Sequence, residues 1–272
     1  MEVCAPKPGN VHRGADFADV TFEDFVVSAE VFGNVLDDST ELGVGATILK
    51  AIEVTRSTVG TNTNLGMVLL LVPLAKTLFL NGALNQLNVS KTLESLDEND
   101  AKAVYAAINH AKPGGMGAVS EMDLAAKPPS DLIAAMRASA SQDMIALQFS
   151  NGFSEVFDEV VPLLEAAVQR TSDLRSATVE VHLKLISRYG DSLIARKCGA
   201  SVSENASRMA TIAVERLTEN KEQEYLSAVA DLDFWMRSDG NRRNPGTTAD
   251  LITAGLFVGF ANGIFSPTFK SE

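Results

Sequence analysis

Thr178-Val179-Glu180-Val181-His182-Leu183-Lys184-Leu185-Ile186 alternates apolar and polar residues, and its reading decides whether this chain contains a sheet. Taken alone, alternation of this kind favours a half-buried strand. A strand needs a partner for its backbone groups, because unpaired N–H and C=O groups are costly to bury, and no other segment offers a convincing one. The stretch is therefore read as helix, and the fold as all-α.

The flanking sequence agrees. Upstream, Ser154 opens a stretch in which Val156, Val160, Leu163, Leu164 and Ala167 recur at helical spacing, and from Ser130 the same pattern runs through Leu132, Ile133 and Met136. Downstream, helices are expected over Ala206 to Leu217 and Gln223 to Met236. Nearer the N-terminus, Thr21 and Asp24 resemble a capping box, and Ser39 or Thr40 is placed to cap the stretch carrying Leu42, Ile48, Leu49 and Ile52. Ser90 and Asp97 offer starts for a short helix and a longer one through Val104, Ala107 and Ile108, which Lys112-Pro113-Gly114-Gly115 should stop. A polar loop through about Pro129 follows. The run Met67 to Leu80 contains Pro73 and Lys76 and falls short of the roughly 20 residues of a membrane span, so it reads as a buried helix. No repeat or heptad array divides the chain, and one compact multi-helix domain over residues 1–272 is expected.

Composition narrows the function. With 46% hydrophobic and 21% charged residues, the chain has the makeup of an ordinary globular protein. Thirty-five acids against 23 bases give a net charge of −12, which argues against a reader of nucleic-acid backbone. Cys4 and Cys198 draw no disulfide framework and suit a reducing, cytoplasmic setting. Residues 1–7 lack the features of a signal peptide. No membrane partner is expected.

Two polar motifs near the ends of the chain attract attention. In Pro6-Lys7-Pro8-Gly9-Asn10 the prolines stiffen the backbone and the glycine frees it, so that Lys7, Asn10, His12 and Arg13 are presented from a non-helical segment, with Asp16 and Asp19 close behind. Cations beside acids suit phosphate and magnesium; an arm of solvated charges explains them equally well. Asn244-Pro245-Gly246-Thr247-Thr248-Ala249-Asp250 opens the last apolar helix, where Thr247 or Thr248 is a natural N-cap and Asp250 lies near the positive end of the helix dipole. Between them, Gly60-Thr61-Asn62-Thr63-Asn64-Leu65-Gly66 precedes the apolar run, either as an anion-receiving helix N-terminus or as a plain cap. It lacks the Gly-Lys-Ser/Thr ending of a phosphate-binding P-loop. Lys112-Pro113-Gly114-Gly115-Met116-Gly117 reads first as a helix stop. Asp191 stands five residues before the adjacent cations Arg196 and Lys197, and His110 and His182 lack metal-ligand spacing.

In order, Glu2-Val3 with Pro6-Lys7-Pro8-Gly9, Gly60-x-Asn62-Thr63-x-x-Gly66, Asp191-x-x-x-x-Arg196 and Pro245-Gly246-x-x-Ala249-Asp250-Leu251 resemble the triphosphoribosyl-dephospho-CoA synthase family over nearly the whole chain. The resemblance implies an all-α fold, ATP as donor, and magnesium. It also implies attack by the 2′-hydroxyl of dephospho-CoA on the anomeric carbon of ATP's ribose, with adenine leaving. By analogy, Lys7, Asn10, Arg13, Asn62, Thr63, Arg196, Lys197 and Thr247 are expected to bind nucleotide phosphates. Asp16, Asp19 and Asp191 are expected to be catalytic, and Asp16, Asp19, Asp191 and Asp250 to hold metal. Relatives usually carry a His-Lys pair where this chain has Asn64-Leu65, and an Arg-Gly-Glu sequence missing from its glycine-rich block at Lys112–Gly117; relatives also carry a helix ahead of the first motif. Those departures leave open a paralogous phosphoribosyl transferase, for example in tetrahydromethanopterin biosynthesis, a magnesium-dependent N-glycoside hydrolase, or a nucleotide-binding regulator without catalysis. The apolar last helix, Leu251 to Phe260, is either core or the interface of a homodimer.

Overall fold

The computed structural model describes residues 1–38, 41–111 and 129–266. Thirteen α-helices carry these residues, with no sheet among them. A first set comprises α1 (Phe22–Asp38), α2 (Val44–Val59), α3 (Leu65–Asn81), α4 (Gln86–Glu94) and α5 (Glu98–Ala111), followed by α6 (Leu132–Ser139), α7 (Met144–Asn151) and α8 (Val161–Thr171). A one-turn π-helical segment, Val156–Val160, runs directly into α8. The remaining elements are α9 (Leu174–Tyr189), α10 (Ser192–Cys198), α11 (Ala200–Thr218), α12 (Glu222–Arg237) and α13 (Gly246–Ala261), with a four-residue extended segment, Ser238–Asn241, after α12. Ser39, Thr40 and the 112–128 loop, with its Lys112–Gly117 turn, lie outside the described residues.

Two hydrophobic cores result, and α9 belongs to both. Ala177, Val181 and Leu185 pack into the larger core with α1–α8 and α13. Val179, Leu183 and Ile186 pack into the smaller one with α10, α11 and α12. A helix buried on two sides carries apolar residues on both faces, and over a short window two interleaved helical periods look like alternation. That is the physical reason the deciding stretch resembles a strand and folds as a helix. Its polar members are paired instead of solvated: Glu180 meets Arg170 of α8 and, at 2.8 Å, Lys184.

Acidic and amide caps set most helix starts. Asp24 accepts the Thr21 N–H at 2.8 Å while Thr21 Oγ1 accepts the Asp24 N–H at 3.3 Å, closing the expected capping box. Asp97 accepts from Asn99 and Asp100 as anticipated. Ser90 does not start α4; it lies inside that helix, and Asn85 caps it through the Asn88 N–H. The Ser130 helix begins at Leu132 under Asp131, and it is followed by a separate helix, α7, under Asp143. Among the described residues no single helix is long and apolar enough to cross a membrane; α3 and α4 reach the length only together and are bent by 103°.

The N-terminal arm docks on α9. Lys7 is fully buried, with Nζ 2.7 Å from the Glu2 carboxylate and donating to the Glu2 carbonyl at 2.9 Å. Beside it, His182 Nε2 lies 3.1 Å from the Pro8 carbonyl. A carbonyl only accepts, so Nε2 carries the proton, and Nδ1 is buried without a partner. Burial first, and the neighbouring Lys7 charge second, push His182 down to about 3. An unfolded chain takes up this proton near pH 6.5 and the folded one does not, so the stability contribution is present above that pH and lost as pH falls below it. Denaturant titrations should show the protein losing about 2 kcal/mol between pH 7 and pH 5 that a His182→Gln variant does not lose.

Candidate active site

Three helix ends and the N-terminal arm enclose the site. At its base is Asp191, buried at the N-cap of α10. Its Oδ1 accepts the N–H groups of Leu193 and Ile194 at 2.9 and 3.0 Å, and its Oδ2 accepts the N–H and hydroxyl of Thr248 at 2.8 Å each. One carboxylate thus caps α10 and, from a distance, the first turn of α13. The expected Thr247 or Thr248 N-cap is replaced by Pro245 at the cap position, which offers no side-chain acceptor, and Thr248 becomes a donor to Asp191. The Asp191 backbone is fixed in turn by Ser203 Oγ, which accepts its N–H and donates to its carbonyl. Burial still raises the Asp191 carboxyl above its usual range, against the lowering effect of these bonds.

This double cap sets the positions of the charged side chains further along each helix. On α10, Arg196 in the last turn forms an ion pair with Asp143, the N-cap of α7. On α13, Asp250 points at the start of α3, where the Met67 N–H favours its ionised form and its carboxylate rests on Gly66. A Cβ at Gly66 would overlap the Asp250 carboxylate, so only glycine permits this approach. Burial, then the nearby carboxylates of Glu2 and Asp191, push the Asp250 carboxyl well above its ordinary range, opposed by Arg196 and the Met67 N–H. Arg196 itself is lowered by burial and raised by Asp250.

The arm and the α12–α13 connection meet at the same place. Gly9, at φ +76°, packs where a Cβ would strike Met236 and Pro245. Its N–H donates to Asp233 at 2.8 Å, and Asn10 Nδ2 donates to Asn244 Oδ1 at 2.5 Å. The two terminal motifs are therefore adjacent in space. Between them and α3 lies a cavity of about 510 Å³, within the size range of small-molecule sites.

Of the residues expected from sequence, Asn10, Asp19, Asn62, Thr63, Arg196, Lys197, Thr247 and Asp250 line this cavity, and Lys7, Arg13, Asp16 and Asp191 do not. Lys7 is spent on Glu2. Arg13 is exposed over the Phe22 ring at 5.8 Å, and Asp16 accepts the Phe22 N–H at 2.7 Å. All of the Asp191 bonds run to helix N-termini and Ser203. Asp19 is held by Asn241 at the cavity's edge. Among the described residues no three acidic, histidine or cysteine side chains converge as a metal cage, so the four acids expected to share a metal do not form one coordination sphere. Magnesium bound through substrate phosphates needs only one or two protein carboxylates, and Glu2 and Asp250 face the cavity together.

Sequence reading assigned no role to three charged lining residues: Glu2, quoted only as part of the first motif, Arg56 and Asp143. Asp143 had a local signal, an acid directly before the apolar Met144-Ile145-Ala146-Leu147, which marks an N-cap. Arg56 sits in the last turn of α2, where a basic residue looks like an ordinary helix end. Nothing local distinguishes it.

A charged, half-open cavity in an all-helical fold, with cations beside a carboxyl of raised proton affinity, has the makeup of a site for an anionic small molecule. Residues 1–267 match the family described as CitG, ATP:dephospho-CoA triphosphoribosyl transferase. The chain belongs to that family of transferases. Among solved structures, a protein assigned as a triphosphoribosyl-dephospho-CoA synthase from Archaeoglobus fulgidus has the same fold. It is 22% identical, with a TM-score of 0.64, over 89% of this chain and 100% of that one. No curated protein matches the chain by sequence.

Two substitutions separate the roles of these contacts. Asp191→Asn leaves buried N–H donors facing an amide nitrogen, and should lower unfolding stability by about 2–3 kcal/mol in denaturant titrations. Gly66→Ala meets only the movable end of Asp250, so its melting temperature should change by no more than a few degrees while turnover falls at least tenfold, because the displaced carboxylate loses its place in the cavity.

Proposed function

We propose that the cavity transfers the triphosphoribosyl group of ATP to the 2′-hydroxyl of dephospho-CoA, with Asp250 as the group that takes the hydroxyl proton. The observation that carries this reading is the Asp250 carboxyl itself, raised by burial and by neighbouring carboxylates, resting on the start of α3 and opposed by Arg196. A raised carboxyl is a stronger base than an ordinary one once it is ionised.

In the transfer, the C1′–N9 bond of ATP breaks and a C1′–O bond forms to the acceptor. The hydroxyl proton passes to Asp250, and adenine takes up a proton as it leaves, so the reaction balances. A single displacement, with acceptor and adenine on opposite faces of the ribose, would convert the β linkage of ATP into an α linkage. The ribosyl carbon gains positive charge along the way, and the ionised carboxylate favours that charge. Arg196 and Lys197 at the end of α10 hold phosphate oxygens, and Asn62, Thr63 and Thr247 offer neutral polar groups to ribose and phosphate. A magnesium ion arriving on the triphosphate would be held by the Glu2 carboxylate at the cavity wall and would neutralise phosphate charge, leaving Asp250 free as the base. Asp143 positions Arg196 without needing to touch substrate.

The direction of the Asp250 shift sets the sign of the pH effect. A carboxyl held above its ordinary range stays protonated, and inactive as a base, until the pH passes its raised value. The acid limb of kcat/KM should therefore lie well above pH 4. Asp250→Asn should abolish that limb and cut kcat by about 10²–10⁴-fold. The same variant should be more stable than the parent near pH 7, with the gain vanishing below about pH 4, because the buried acid binds its proton more tightly folded than unfolded. Incubation with ATP, magnesium and dephospho-CoA, followed by measurement of free adenine, tests the activity. Acceptor-dependent release is expected. Release without acceptor would make the protein a hydrolase, and activity with phosphoribosyl pyrophosphate alone would assign a different donor.

A further inference from the structure

The cations around the cavity are not equivalent. Arg196 is paired with Asp143 and lies in the field of Asp250. Lys197 lies in the fields of Asp19 and Asp191. Arg56, in the last turn of α2, makes no ion pair among the described residues; its one side-chain bond among them runs from Nη1 to the carbonyl of Ala111, the last residue of α5, at 3.2 Å. It stands beside Asn62 and Asn64 of the α2–α3 connection, where Leu65 brings no charge to the first turn of α3.

Charge balance then gives the cavity a direction. At the α10 end, positive charge is already matched by Asp143 and Asp19. At the α2–α3 end, among the described residues, a guanidinium meets neutral polar groups and a helix start and no carboxylate. Asp250 lies between them, on Gly66. A polyanion placed with its reacting carbon near Asp250 gains most by running its phosphates toward the unmatched cation.

We infer that Arg56 is a substrate-binding residue that holds the terminal phosphates of the ribosyl donor, leaving Arg196 and Lys197 to the phosphates of the acceptor. This rests on the triphosphoribosyl transfer proposed above. Donor and acceptor therefore enter from opposite ends of the cavity and meet at Asp250.

The test uses inorganic tripolyphosphate, which mimics the donor's phosphates and requires no turnover. In calorimetric titration of the full-length protein, Arg56→Gln should weaken tripolyphosphate binding by about 10-fold or more, the loss typical of a charge-assisted contact. Glutamine retains a donor for the Ala111 carbonyl, so its melting temperature should stay within a few degrees of the parent. Arg56→Lys should fall between the two. In steady-state assays Arg56→Gln should raise the KM for ATP and leave that for dephospho-CoA unchanged. Unchanged tripolyphosphate affinity in Arg56→Gln, no binding by the parent, or equal rises in both KM values would overturn the inference. Loss of tripolyphosphate binding in Arg56→Gln, in a protein that releases no adenine with dephospho-CoA, would keep the phosphate site and reject only the acceptor.

Discussion

Two helices begin at one buried carboxylate, and the geometry of the site descends from that. Asp191 satisfies the first N–H groups of α10 directly and a first-turn N–H of α13 across space. Helix N-termini carry unsatisfied donors and partial positive charge, so two of them brought together would repel and leave donors unpaired. A carboxylate between them removes both problems. It also fixes the rotation of each helix, and rotation decides which side chains face inward: Arg196 a turn and a half along α10, and Asp250 at the start of α13.

The same arrangement explains how an acidic protein offers a place for anions. The chain has a net charge of −12, yet its cavity collects Arg56, Arg196 and Lys197. Most of the acids nearby are already engaged: Glu2 with Lys7, Asp143 with Arg196, Asp191 with two helix starts. Asp250 has only the Met67 N–H and the field of Arg196 to offset its burial, and its elevated proton affinity is the result.

The fold was legible from the sequence because helical signals are local. Capping at Thr21–Asp24 and at Asp97 depends on residues three apart or fewer, and the all-α reading of 178–186 needed only the absence of a strand partner. The site was legible where short motifs carry several polar residues together, as in Asn62-Thr63 and Asp250. It was not legible where a role depends on a distant partner. Asp191 and Asp250 look alike as acids beside a helix start, and their difference arises from what faces them: Thr248 and two N–H groups in one case, Gly66 and open cavity in the other. Lys7 resembles a phosphate ligand until Glu2 is seen folded back onto it. Arg56 carries no motif at all.

Finally, α9 is the shared wall of both hydrophobic cores, so neither core has a complete surface without the other. The elements around the cavity are drawn from both sides of that wall: α3 and α13 from the larger core, α10 from the smaller. Melting either half strips one face of α9 and exposes apolar surface on the other, which couples the halves into one cooperative unit. The cavity consequently has no half-built form. A ligand bound at the seam between the cores would stabilise both at once.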